Sequence, residues 1–82
     1  MNESDTRQLF NIISEHSNRD TTEISEQDRF SEDYGLDSID SVGLLHDINS
    51  FFKIDINEKQ AADLKTVADM IACIDKQTQK RP

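Results

Sequence analysis

Apolar residues recur at helical spacing along most of this chain, and this periodicity is the feature that most restricts its fold. The spacing is clear near the start of the chain. Between residues 38 and 52, the apolar residues fall in one broad arc when successive residues are placed about 100° apart around a helix axis. The members of this arc are Val42, Leu44, Leu45, Ile48, Phe51 and Phe52. Only two glycines and one proline occur in 82 residues, too few for a sheet of many hairpins. The pattern therefore predicts an all-α fold.

Capping residues and apolar stripes together locate the helices. Four are predicted, over residues 5–17, 38–52, 57–63 and 66–77. Ser4, Asn57 and Thr66 are suited to cap the first, third and fourth of them, because their side chains can accept hydrogen bonds from free backbone N–H groups. Each helix is apolar on one stripe only, so burial of the four stripes together predicts a small four-helix bundle in a single domain spanning residues 1–82.

The segments between the helices are polar. Residues 18–37 form a long loop with weak periodicity, and a connection of this length is often functional. Isolated apolar residues can pin the loop to the core, namely Ile24, Phe30, Tyr34 and Leu36. Residues 53–56 have no partner strand and are predicted as a loop with Ile54 and Ile56 pointing inward. The tail, residues 78–82, is expected to fray.

Charge and cysteine content exclude several classes of function. The chain has 17 acidic and 9 basic residues and a formal net charge of −8, so it should repel nucleic acids and anionic membranes and favour basic protein partners. Cys73 cannot form an internal disulfide, and with His16 and His46 it gives no zinc-binding spacing. We read Cys73 as a small packed residue. A cytoplasmic monomer without membrane insertion or a metal site is expected.

The dipeptide Asp37-Ser38 is the candidate site. It follows Gly35, which is suited to a tight turn, and it opens the second predicted helix. Backbone N–H groups at a helix N-terminus lack intrahelical partners, and the helix dipole is positive there, so a phosphate on the Ser38 oxygen would be favourably placed. Alternatively, Asp37 or Ser38 is only an N-cap, which is a common role for these residue types.

The surrounding sequence resembles the acyl carrier proteins. The segment Gly35-Leu36-Asp37-Ser38-Ile39 follows a long loop and opens an apolar helix, and the likeness covers nearly the whole chain. It includes Phe30, the Ile54 and Ile56 pair, and the run 64–69 before the last helix. The resemblance implies that Ser38 carries 4′-phosphopantetheine, whose thiol holds acyl groups as thioesters. It also implies a non-catalytic chain that is modified by a phosphopantetheinyl transferase, with Asp37 in a supporting role.

One side of the second helix is the predicted partner face. Helical geometry puts Ile39 outside the apolar arc, on the same outward side as Gly43 and His46. The resemblance implies that this side docks basic patches on acyl synthases, ketosynthases or acyltransferases. The predicted face comprises Asp37, Ile39, Asp40, Gly43, His46 and Asp47. Single exposed apolar residues and solvated charges also occur without any partner, which is the alternative for Ile39 and the aspartates.

Three positions depart from the family pattern. Many carriers of fatty-acid synthesis have leucine in place of Ile39, an acidic residue in place of Gly43 and an apolar residue in place of His46. A glycine inside a helix costs about 1 kcal/mol relative to alanine, so close approach of a partner is one explanation for Gly43. The resemblance implies a cargo from fatty-acid, specialised lipid or polyketide synthesis, and the departures favour a dedicated pathway. The alternatives are an unmodified acidic interaction module and a carrier of amino acids.

Overall fold

The computed structural model describes residues 1–79 and contains helices as its regular structure. Its α-helices are α1 (Glu3–Ser17), α2 (Ser38–Phe52), α3 (Glu58–Ala61) and α4 (Val67–Gln79), with a short 3-10 helix at Thr21–Glu23. The described residues form no strand, and a single isolated bridge joins Arg29 to Thr66. The all-α prediction is confirmed. The observed α2 has the same bounds as the predicted second helix.

The first helix begins earlier than its apolar spacing predicts. Asn2, rather than Ser4, is the N-cap, because its extended backbone lets the side-chain oxygen accept a hydrogen bond from the Asp5 N–H at 2.7 Å. The Asn2 carbonyl accepts the first helical bond from the Thr6 N–H at 3.0 Å. Ser4 therefore lies inside the first turn. At the other end, Asn18 adopts a left-handed conformation with φ 59° and stops the helix.

The last two helices also differ from the predicted ranges. Asn57 caps α3 as expected, but the helix ends at Ala61. The Ala62 N–H still donates to the Glu58 carbonyl, whereas the N–H groups of Asp63 and Leu64 donate to carbonyls three residues back, at 3.2 and 3.0 Å. Helix α4 continues to Gln79, beyond the predicted end at residue 77. The predicted frayed tail is therefore wrong for residues 78 and 79, and residues 80–82 lie outside the described part of the chain.

The core consists of one cluster of buried apolar side chains from α1, α2, α4, the long loop and the α2–α3 connection. Its members are Leu9, Ile13, Ile24, Phe30, Leu36, Leu44, Leu45, Ile48, Phe52, Ile56, Val67, Met70 and Ile74. Two residues of the predicted α2 arc are not among them, since Val42 and Phe51 are each 47% exposed. They lie at opposite edges of the arc, whereas Ile48, near its centre, is fully buried. Phe51 instead packs edge to face on Phe52, with ring centroids 4.9 Å apart.

The long loop provides hydrogen-bond acceptors for the start of α4. The Val67 N–H donates to the Asp28 carbonyl at 3.0 Å, and the Ala68 N–H donates to the Glu26 carbonyl at 2.9 Å. The Thr66 hydroxyl accepts from the third N–H, that of Asp69, at 3.1 Å. The first-turn donors that a helix cannot satisfy by itself are thus all paired. Main-chain bonding therefore fixes the middle of the loop against α4.

A side chain of α2 holds the connection to α3 in the same way. The Asn49 amide donates to the Ile56 carbonyl at 2.9 Å, and its oxygen accepts from the Ile56 N–H at 3.0 Å. These two bonds replace the strand partner that residues 53–56 lack, and they keep Ile56 buried as predicted. Ile54 is half-buried and packs against the core.

Helices α1 and α2 contact each other where the His16 ring of α1 packs over Gly43 of α2. The His16 Nε2 atom lies 2.6 Å from a carboxylate oxygen of Asp47. A Cβ atom placed on Gly43 would lie 3.4 Å from Cε1 of the same imidazole, so the ring covers this glycine. Gly43 and Asp47 were expected on the outward side of α2, but the structure turns both toward α1. Gly43 thus packs against the His16 ring, with room for a methyl group at ordinary contact distance.

Substituting alanine for each of the two glycines should change the free energy of unfolding in opposite directions. Gly43→Ala is expected to raise the free energy of unfolding by about 0.5–1 kcal/mol, because alanine favours helix and its methyl would make an ordinary contact with His16. Gly35→Ala should lower it by about 1 kcal/mol, since Gly35 has φ +66° and a Cβ there is strained even without a neighbour within 4 Å. Urea denaturation of both variants measures these changes. A loss of stability for Gly43→Ala would contradict the assigned His16 packing.

Candidate functional site

Ser38 is the first residue of α2 and its side chain is exposed. The chain turns at Gly35, and Asp37 then caps the helix through a hydrogen bond from the Asp40 N–H to its Oδ1 atom at 2.8 Å. Of the two capping candidates, Asp37 has this role, so the Ser38 hydroxyl is left for other chemistry. Within residues 1–79, the N–H groups of Ser38 and Ile39 make no backbone hydrogen bond. The site therefore offers a hydroxyl beside two unpaired donors at the positive end of a helix.

The end of the loop that leads to Ser38 is braced around Tyr34. The Tyr34 hydroxyl donates to a carboxylate oxygen of Asp28 at 2.7 Å. Its ring packs edge to face on Phe30, with centroids 6.2 Å apart, and the Arg19 guanidinium lies 5.5 Å above it. Burial, together with the hydrogen bond to the Asp28 carboxylate, raises the pKa of Tyr34 well above its ordinary range. The brace anchors the loop four residues before Ser38.

A second group of bonds closes the turn that contains Gly35. The Arg29 N–H donates to a carboxylate oxygen of Asp33 at 2.7 Å, and the Arg19 side chain donates to the Asp33 carbonyl at the same distance. The backbone bond from Arg29 lowers the pKa of Asp33, with a smaller contribution from the Arg29 guanidinium. The Gly35 N–H donates to the Ser31 carbonyl at 3.0 Å. These bonds fix the direction in which the chain enters α2.

A cleft of about 360 Å³ extends from Ser38 between α2, α3 and the α3–α4 connection. Its walls are mostly apolar, although hydroxyl groups and two charged residues also line it. The lining residues are Phe30, Ser31, Ser38, Ser41, Val42, Leu45, Glu58, Ala61, Ala62, Leu64 and Lys65. Such a cleft can hold part of an aliphatic chain and keep it from water.

The Ser38 hydroxyl is separate from both histidines in the described part of the chain. Within the described residues, it has no hydrogen bond to either histidine, and His16 is occupied by Asp47 on the α1 side of α2. A nucleophilic serine needs a base within hydrogen-bond reach, and neither histidine takes that place in residues 1–79.

The predicted partner face divides into two parts. Ile39 is 80% exposed, and Asp37, Asp40 and His46 are also exposed on α2. Gly43 is half-buried beneath His16, and the Asp47 carboxylate pairs with that histidine. The open part of the face therefore comprises Asp37, Ile39 and Asp40 beside Ser38 and His46 further along α2, while Gly43 and Asp47 contact α1.

Sequence reasoning missed two residues that line the cleft. Lys65 and Glu58 come from the α3 region and lie far from Ser38 in the chain, so helical spacing on α2 could not place them beside it. Cys73, predicted as a packed residue, is half-buried against the core, and burial raises the pKa of its thiol. None of the helices in residues 1–79 has the length and apolar character needed to cross a membrane.

Comparisons with known proteins agree with this geometry. The family model described as a phosphopantetheine attachment site matches residues 7–74. An acyl carrier protein of Rickettsia bellii is 31% identical over 65 residues, covering 79% of this chain and 76% of the relative. An acyl carrier protein of Aster yellows witches'-broom phytoplasma is 36% identical over 67 residues, covering 82% of this chain and 88% of the relative.

The fold has a solved counterpart as well. The solution structure of a protein from Anaplasma phagocytophilum assigned to the acyl carrier proteins superposes with a TM-score of 0.76. It covers 96% of this chain and 91% of the other, at 22% sequence identity. This likeness supports the fold.

Together the helical bundle, the exposed serine that opens α2 and the matched attachment-site model define a phosphopantetheine-binding carrier domain. The chain belongs to the acyl carrier protein family. The prosthetic group of this family is 4′-phosphopantetheine. The site fits that group, because an exposed hydroxyl, unpaired N–H groups and the end of an apolar cleft meet at Ser38.

The contacts that hold Tyr34 in the loop should raise the midpoint of its ionisation in an alkaline titration. Tyr34 is the only tyrosine and the chain has no tryptophan, so tyrosinate absorbance reports this residue alone. Because folding raises the pKa of Tyr34, its contribution to stability is complete below about pH 10 and is lost as the pH rises through the higher folded value. The folded protein should therefore ionise well above pH 10, and its unfolding free energy should fall over the same range.

A matched variant separates the two causes of this shift. Asp28→Asn removes the carboxylate but leaves the ring packed, so the titration midpoint should move part of the way back toward about 10. A midpoint near 10 in the unaltered folded protein would contradict the brace.

Proposed function

We propose that Ser38 is the attachment residue and that the chain delivers acyl intermediates between enzymes as thioesters on a 4′-phosphopantetheine arm. The observation that carries this proposal is the position of Ser38, which is exposed at the N-terminus of α2 and lines the apolar cleft. When bound, the arm supplies the terminal thiol that forms the thioester. The protein supplies the attachment point, a favourable position for the phosphate and a sheltered surface for the cargo.

Each residue of the site has a stated part in this proposal. In a reaction catalysed by a phosphopantetheinyl transferase, the Ser38 oxygen attacks the phosphorus of coenzyme A that bears the pantetheine arm. The pyrophosphate bond breaks, adenosine 3′,5′-bisphosphate leaves, and a base of the transferase takes the hydroxyl proton. The unpaired N–H groups of Ser38 and Ile39 then face the added negative charge from the positive end of α2. Asp37 uses its Oδ1 atom as the helix cap, which leaves Oδ2 for a cation that the transferase brings to the site. Apolar cleft residues such as Val42 and Leu45 exclude water from the cargo.

The cargo is proposed to be an acyl group from fatty-acid, specialised lipid or polyketide synthesis. Gly43 lies beneath the His16 ring rather than on the open surface, so this glycine no longer argues for the close approach of a specialised partner. Ile39 and His46 remain as exposed departures from the common family pattern. We place the exchange in the cytoplasm, in keeping with a single cysteine that forms no internal disulfide.

Mass spectrometry tests the attachment residue directly. Incubation with coenzyme A and a broad-specificity transferase should add the mass of one phosphopantetheine group, and Ser38→Ala should abolish the gain. Ser41→Ala is the matched control, because Ser41 lines the same cleft one turn further along α2 and should still be modified. A gain in Ser38→Ala, or none in the unaltered chain, would refute attachment at this residue and favour an unmodified interaction module.

We also propose that enzymes read the exposed part of α2 beside Ser38. Ile39 projects from this surface, and the carboxylates of Asp37 and Asp40 flank it. An exposed isoleucine can enter an apolar pocket, and the surrounding acids suit a basic surface. Asp47 is expected to contribute less, because it is already paired with His16.

The kcat/KM of the transferase measures how much the residues of this face contribute to recognition. Asp40→Asn is expected to lower kcat/KM for the transferase about two- to fivefold, because an exposed charge pair contributes roughly 0.2–1 kcal/mol. Ile39→Ala should lower it about tenfold, since burying an isoleucine side chain contributes roughly 1.5–3 kcal/mol. Asp55→Asn, which makes the same change of charge on the exposed α2–α3 connection, is the control and should leave kcat/KM unaltered. Equal losses for Asp40→Asn and Asp55→Asn would show that net charge, not this face, governs the encounter.

A further inference from the structure

Two charged residues line the cleft that extends from Ser38, and Lys65 is the cation of the pair. The other is Glu58, and no ion pair forms between them or between Lys65 and any other carboxylate within residues 1–79. The Lys65 side chain is exposed. Its charge is therefore available on the described surface to an anion that enters the cleft.

The backbone of Lys65 is held on both sides. Its N–H donates to the Asp69 carboxylate at 3.0 Å, and its carbonyl accepts from the Phe30 N–H at 3.1 Å. The first bond belongs to the start of α4 and the second to the long loop. The side chain thus begins from a fixed point on the cleft wall, and its flexible four-carbon stem can carry the ammonium toward the mouth.

The surroundings of Ser38 are strongly acidic. Residues 28–63 contain nine acidic and three basic residues, a net charge of −6. A phosphodiester on Ser38 would add another negative charge next to Asp37 and within one turn of Asp40. Like charges at this spacing repel one another, and a cation facing the same cleft lowers that repulsion.

We propose that Lys65 is a positioning residue for the phosphodiester of the prosthetic group. Its ammonium forms a charge-assisted contact with a phosphate oxygen and holds the root of the arm on the cleft side of α2, where the rest of the arm and its cargo can follow the apolar walls. The inference rests on the proposed attachment at Ser38. It assigns to the α3–α4 connection a role in orienting a group carried by α2.

Four proteins test this contact: the unmodified and modified forms of the unaltered chain and of Lys65→Met. Lys65→Met keeps the length of the side chain and removes its charge, and because the residue is exposed, both forms should fold. Lys65→Met should shift the melting temperature of the unmodified form no more than the loss of any one exposed positive charge does, whereas the melting temperature of the modified form should fall further. The fall should shrink as salt is added, because ions screen an exposed contact. Lys65→Arg should restore the melting temperature of the modified form.

A matched lysine provides the control. Lys59 is exposed on α3 and does not line the cleft, so Lys59→Met changes the net charge equally without touching the site. It should shift both forms by the same amount. Phosphorus NMR adds a direct readout, since Lys65→Met should move the phosphodiester resonance and Lys59→Met should not.

The outcomes separate this inference from the proposed function. Absence of the added mass on Ser38 would refute the attachment itself. A modified Lys65→Met protein with an unmoved phosphorus resonance, and with equal shifts of melting temperature in both forms, would refute the role of Lys65 and leave the attachment intact.

Discussion

The structure depends on backbone carbonyls of the long loop that accept hydrogen bonds from the first turn of α4. A helix cannot pair its first N–H groups internally, and here Asp28 and Glu26 supply the missing acceptors through their main chains. The bonds fix the middle of the loop, so Phe30 enters the core and its N–H reaches the Lys65 carbonyl. The loop then has a short, braced path to α2. The position of Ser38 follows from a bond network centred on a different helix.

Single polar contacts also join separate segments elsewhere in this small protein. A chain of this size buries a limited core, so individual polar contacts contribute a large part of its net stability. Asn49 replaces a strand partner for Ile56 with its own amide, and His16 joins α1 to α2 through Asp47. Tyr34 serves the loop in a comparable way by combining ring packing with a bond to Asp28. Each contact holds together parts of the chain that helix formation alone would not bring into contact.

The sequence was sufficient for the features that depend on local chemistry. Apolar spacing and the Asp37 cap define α2, and the isolated apolar residue Phe30 correctly marks where the loop enters the core. Other features were out of reach because they arise when distant segments meet. A main-chain bond from Val67 to Asp28 leaves no side-chain pattern to detect, and the burial of Gly43 requires knowing that His16 crosses α2 at that point. Lys65 reaches the cleft only through the path of the α3–α4 connection.

The crossing of His16 over Gly43 makes two helices interdependent in their sequences. A Cβ atom at position 43 would lie 3.4 Å from the imidazole, and an acidic residue there would add a second carboxylate one turn before Asp47. We therefore expect a residue larger than alanine at position 43 to affect how His16 packs on α2. Substitutions at the two positions should be non-additive, as expected for side chains in direct contact. Helix α2 therefore cannot be exchanged independently of α1, because position 43 packs against a side chain of that helix.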